Sequence, residues 1–125
     1  MVSTFSTPNG KFQANYDKCD GVVKKLFSNL LLSIKDLSGT EYYPRDKKDY
    51  CLKRNILFCA ITPQSKKNIL KVELRIDLND LHSNTLILEE FYFDKGGPRW
   101  TKFLIDNEHQ IEEATKLIKE VYKFS

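Results

Sequence analysis

Basic residues crowd one stretch of this sequence. Arg45, Lys47, Lys48, Lys53 and Arg54 stand against only Asp46 and Asp49, with Tyr42, Tyr43 and Tyr50 interleaved. Lys66, Lys67 and Lys71 follow a short way on. Cations neutralise phosphates and rings stack on bases, so this mixture suits the backbone and bases of a nucleic acid. Arg99 and Trp100 add one more charge and the single indole. The candidate contact set is therefore Arg45, Lys47, Lys48, Lys53, Arg54, Lys66, Lys67, Arg99 and Trp100. The same composition also describes solvated loops whose charge keeps a domain soluble. What separates the two is whether the turn at 54–55 and the loop at 63–68 reach the same end of a sheet, which the sequence leaves open.

The other constellations point away from catalysis. Glu73-Leu-Arg75 is a distant echo of the acidic-x-Lys strand of restriction enzymes. That chemistry needs a Mg²⁺ held by two or more acidic groups, usually with a lysine near the attacking water. Arginine stays protonated and cannot act as a base. Simple alternation of Lys71, Glu73, Arg75 and Asp77 on an exposed strand face accounts for the residues through cross-strand charge pairing. His82 sits in a polar loop and His109 at the start of a helix, where the dipole disfavours its charge, so neither completes a triad. No four-ligand zinc spacing and no phosphate-binding glycine loop is present, and Gly96-Gly97 runs into Pro98, which has no N–H to offer. The expectation is no catalytic residue, no metal and no cofactor.

Composition sets the frame. The chain has 125 residues, 41% hydrophobic and 30% charged, with a net charge of +3. That is the size of one domain with one core, and it is less basic than a dedicated nucleic-acid module. No apolar run reaches the roughly 18 residues that a membrane span needs. The first ten residues lack the basic and apolar regions of a signal peptide, so a cytoplasmic protein is expected. Cys19, Cys51 and Cys59 are odd in number and have no CxxC spacing. With a two-residue turn at Arg54-Asn55, Cys51 would oppose Phe58 and Cys59 would oppose Tyr50. The pleat would then send the two thiols to opposite faces.

The elements that must carry these residues follow from periodicity. Residues 1–15, polar and aperiodic, read as a flexible N-terminal arm, with Phe5, Phe12 and Tyr16 able to dock it, and 16–125 as one α+β domain. Asp17 and Asp20 are candidate N-caps for a helix in which Val22, Val23, Leu26, Phe27, Leu30, Leu31, Ile34 and Leu37 recur at helical spacing, ended by Ser38-Gly39. Strands are expected over 50–53 and 56–62 as a hairpin, 68–77, 86–93 and 100–105. Over 68–77, apolar Leu70, Val72, Leu74 and Ile76 alternate with charged residues. Asp106-Asn107 then caps a helix with Ile111, Ala114, Leu117, Ile118, Val121 and Tyr122 on one side. The expected fold is a single antiparallel sheet of four to five strands, with an N-terminal and a C-terminal helix on its one apolar face.

This order resembles a bacterial and archaeal domain-of-unknown-function family, number 5655, whose members often carry the label "predicted transport protein". The resemblance runs from about Leu26 to Tyr122. Tyr50-Cys-Leu-Lys-Arg-Asn-Ile-Leu-Phe-Cys-Ala-Ile-Thr-Pro63, Ile69-Leu-Lys-Val-Glu-Leu-Arg-Ile76 and the stretch from Phe103 to Tyr122 carry it, and Leu117-Ile-Lys-Glu-Val-Tyr122 is similar to the family's closing Ile-x-x-x-Tyr helix. Members typically have a Gly-His-Trp-like turn, whereas this chain has Gly97-Pro98-Arg99-Trp100, without the histidine. The resemblance implies a setting: such domains often follow restriction-type or other antiviral-defence nuclease parts. The expected function is a non-catalytic accessory module that contacts DNA or RNA weakly through its basic loop, beside a nuclease partner or domain. The alternative is a protein-interaction or dimerisation domain, a homodimer formed through an exposed edge strand.

Overall fold

The computed structural model of the protein describes residues 10–45, 48–53 and 56–124, with the backbone alone at Tyr43, Arg45, residues 48–50 and residues 52–53. Three helices, α1 (Gly10–Asp17), α2 (Gly21–Ile34) and α3 (Ile111–Phe124), accompany six strands: β1 (Thr40–Arg45), β2 (Lys48–Lys53), β3 (Ile56–Gln64), β4 (Ile69–Leu74), β5 (Glu89–Tyr92) and β6 (Arg99–Ile105). All neighbours in the sheet are antiparallel and the order is β1-β2-β3-β4-β6-β5. The fold is α+β, with the helices gathered on one face of the sheet.

α2 begins where the sequence places it but ends at Ile34, short of the expected Leu37 and Ser38-Gly39. The Asp20 carboxylate accepts from the Val23 N–H at 3.0 Å, which satisfies one of the first-turn donors. Its buried stripe is Val23, Leu26, Phe27, Leu30, Leu31 and Ile34. Val22, 59% exposed, lies outside that stripe despite its place in the apolar pattern. The Ile34 carbonyl at the helix end accepts from the Tyr42 hydroxyl at 2.8 Å and from the Leu37 N–H at 3.2 Å. α3 follows a short 3-10 turn (Glu108–Gln110) closed by a capping box between Asn107 and Gln110. Ala114, Leu117, Ile118 and Val121 are its buried face. α2 and α3 lie parallel: Asn29 donates to Glu108 at 3.1 Å, Ser33 and Thr115 share a 2.6 Å hydroxyl bond, and Tyr122 hydrogen-bonds the Ser38 carbonyl. Beneath them the sheet contributes Cys59, Ile61, Leu70, Val72, Leu74, Phe103 and Ile105, each at most 1% exposed.

Four expectations need correction. The arm is helical from Gly10, and Phe12 is buried with its ring 5.5 Å from Phe27. An aromatic anchor outweighs a locally polar sequence; residues 1–9 lie outside the described residues. The sheet gains a sixth strand, β1, because Thr40–Arg45 pairs along its whole length with β2. A register shift between Cys51 and Leu52 leaves Phe58 unmatched and sets Cys51 directly opposite Cys59, so the thiols do not diverge. Finally, Glu73 is 3% exposed, so the face opposite the helices is not uniformly solvated.

Candidate nucleic-acid interface

Antiparallel register sorts the basic residues between the two ends of the sheet. β3 starts at Ile56 and finishes at Gln64, and β2 runs against it with Asp49 opposite Ile61. Arg45 and Lys48, which pair where β1 meets β2, therefore lie at the same end as the β3–β4 turn with Lys66 and Lys67. Lys53, opposite Ile56, lies at the other end, as do Arg99 and Trp100 at the start of β6. Lys47 and Arg54 fall outside the described residues. The β2 and β3 ends at Lys53 and Ile56 and the loop at 63–68 thus sit at opposite ends, and it is the β1 and β2 ends at Arg45 and Lys48 that join the second.

The β3–β4 turn is built tightly. Gln64 pairs with Ile69, and Asn68 takes the left-handed conformation at φ 53°, which asparagine tolerates better than most residues. The Asn15 side chain donates to the Pro63 carbonyl at 2.6 Å and pins α1 beside the turn. Asn15, Gln64, Ser65, Lys66, Lys67 and Lys71 line a cleft of about 390 Å³, with Thr62 and Pro63 as its floor. Among the described residues no acidic side chain lines it, and none of its three lysines has an ion pair.

A second cleft of about 340 Å³ shares Gln64, Lys67 and Lys71 with the first and continues to Glu89, Lys102 and Leu104. Lys102 lies opposite both Glu73 and Glu89, on the face away from the helices. Its Nζ stands 5.4 Å from the Phe91 ring centre. Trp100, two residues before Lys102, shares this face with Phe91 and Phe93: Phe93 stacks on it at 4.4 Å and Phe91 meets it edge-on at 6.3 Å.

Arg99 and Trp100, adjacent in sequence, take opposite faces. The Arg99 guanidinium meets Glu90 at 3.2 Å and Asp77 at 3.9 Å and bonds the Tyr92 hydroxyl at 3.3 Å. The Tyr92 hydroxyl first, then Glu90, hold its proton still more firmly than usual. Its charge is committed to carboxylates. Trp100 is 3% exposed and backs Phe93 without offering a face of its own. Of the nine candidates, the structure gathers Lys66 and Lys67 into the cleft, with Arg45 and Lys48 at the same end, and sets Lys53, Arg99 and Trp100 apart. Lys102, Phe91 and Phe93 were missed. Their signal is the alternation Trp100–Lys102–Leu104 and Glu89–Phe91–Phe93, which marks one strand face.

Among the described residues no three His, Cys, Asp or Glu side chains are grouped to hold a metal ion, and no helix is long and apolar enough to cross a membrane. No family model, curated protein or solved structure matches this chain.

Proposed function

We propose that the protein is a non-catalytic binding module that contacts nucleic acid through phosphates at the β3–β4 turn, as an accessory to a bacterial nuclease or defence system. The observation that carries the first part is the cleft lined by Lys66, Lys67 and Lys71, with no acidic side chain among the described residues of its lining. Three ammonium groups around one concavity, with no ion pair among the described residues, lose little there on meeting a polyanion. Arg45 and Lys48 extend the same end of the sheet. The resemblance noted from the sequence supports the second part.

Fluorescence anisotropy with labelled oligonucleotides at low salt tests this reading. The expected affinity is weak, about 10⁻⁴–10⁻⁶ M at physiological salt. The logarithm of the association constant should fall with the logarithm of salt with a slope of about −3, for three duplex phosphate contacts. The triple change Lys66→Glu, Lys67→Glu, Lys71→Glu should abolish binding without moving the melting temperature. Changing Lys116, Lys119 and Lys123 should do far less, since Glu112, Glu113 and Glu120 share that helix. No binding at tens of micromolar protein overturns the proposal.

A protein-interaction reading rests on a different observation. Ile87 is 83% exposed and Leu104 44% exposed, and both line a groove of about 290 Å³ beside the β5 edge with Ile69. Association that survives high salt would favour this reading.

A further inference from the structure

We infer that the ligand is single-stranded nucleic acid laid across the sheet face opposite the helices, its phosphates on Lys67, Lys71 and Lys102 and its bases against Phe91 and Phe93. This rests on the nucleic-acid reading above and names which form of nucleic acid the site takes.

Continuity is the first argument. The two clefts share Gln64, Lys67 and Lys71, so the lysine-lined concavity at the turn opens onto the sheet face instead of closing there. Lys71 and Lys102 sit on neighbouring strands, one diagonal step apart, because Glu73 is the direct partner of Lys102. Diagonal neighbours are about 7–8 Å apart, within reach of two successive backbone charges of one strand.

The rings are the second argument. Lys102 stands over Phe91, so the cationic track ends on an aromatic surface. Phe91 and Phe93 are half-buried, 6.4 Å apart, and supported from below by the buried Trp100. A duplex hides its base faces and would leave these rings unused, whereas an unpaired strand presents them. Glu89, on the rim of the second cleft, opposes an anion, and its removal should strengthen binding.

The test uses the full chain with fluorescent oligonucleotides of equal length: single-stranded DNA, single-stranded RNA and duplex DNA. Either single strand should bind at least about tenfold more tightly than the duplex. Phe91→Leu and Phe93→Leu keep apolar volume over Trp100 while removing the stacking face. Each should weaken single-strand binding about 5- to 150-fold, the range of one lost base stack, and leave duplex binding unchanged. Lys102→Gln should weaken and Glu89→Gln should tighten single-strand binding. Trp100 fluorescence should change on binding single strands, since its stacking partner is the proposed platform. Melting curves confirm that each variant is folded. Equal affinity for duplex and single strand, with both leucine variants silent, overturns this inference and leaves the phosphate-binding reading standing. No binding of any oligonucleotide overturns both.

Discussion

Cys51 and Cys59 face one another across β2 and β3, both wholly buried and both reduced. Directly opposed residues of an antiparallel pair have Cα atoms about 4.5–5.5 Å apart, inside the range a disulfide spans. Cys19 lies elsewhere, at the α1–α2 junction. Under reducing conditions all three thiols should titrate once the protein is denatured. After mild oxidation of the folded protein with diamide, mass spectrometry should find a loss of two hydrogens, mapped to Cys51–Cys59, with Cys19 still alkylatable after unfolding. A bond involving Cys19 would contradict the register.

The end of β4 sets a sharp contrast between its last residue and the next. Leu74 is completely buried and Arg75 is exposed. Leu74→Asp should unfold the domain, because an unpaired carboxylate in an apolar core costs several kcal/mol. Arg75→Glu should stay within about 0.5 kcal/mol. Glu73→Lys, at a buried position, should fall between them. Thermal melts of the three variants check the order.

The buried anchor of α1 is the Phe12 ring. Phe12 packs on Phe27 and stacks 6.1 Å from Tyr16. Phe12→Ala should destabilise the domain by about 3 kcal/mol, the usual cost of emptying a buried phenylalanine site. Urea titration measures it. A change below about 0.5 kcal/mol would make α1 a loose appendage.

Cys19 gives a pH dependence with a fixed sign. Its thiol is buried and donates to the Asn15 carbonyl at 3.4 Å. Burial pushes it above its ordinary 9.0; Lys24 pulls the other way and Asp20 adds a smaller rise. The folded protein therefore keeps this proton at pH values where the unfolded chain releases it. The associated stability is fully present below 9.0 and is lost as pH climbs through the raised value. The melting temperature should fall from pH 8 to pH 10.5 more steeply in the native protein than in Cys19→Ala, which lacks the group.

α2, α3 and β4 were legible in the residues because their periodicity is strong and unbroken. Asp20 as cap, the α2 stripe and the α3 face are all written at helical spacing. β1 was not legible, since Thr40-Glu-Tyr-Tyr-Pro-Arg45 shows no alternation and contains a proline, which argues against a strand unless it lies at an edge, as β1 does. The pairing of Cys51 with Cys59 was hidden for a different reason. A single bulge at Phe58 shifts the phase of everything beyond it, and no local residue type announces it. For the site, sequence identified cations but could not say which end of the sheet each reached. Arg99 looked available until its carboxylate partners, Glu90 and Asp77, were brought in from other segments.

The parallel docking of α2 and α3 also dictates how this chain folds in time. The hydrogen bonds that join them link residues 79 to 84 positions apart. A nucleus containing both helices must close a loop holding the entire sheet, an entropic cost that local structure does not offset. Folding should therefore belong to the slow, non-local class, on the order of milliseconds to seconds, and not the microsecond class of helical bundles. Until α3 arrives, the apolar stripe of α2 and the inner face of the sheet stay open to water and to other chains. That interval is the one in which this protein is most exposed to aggregation.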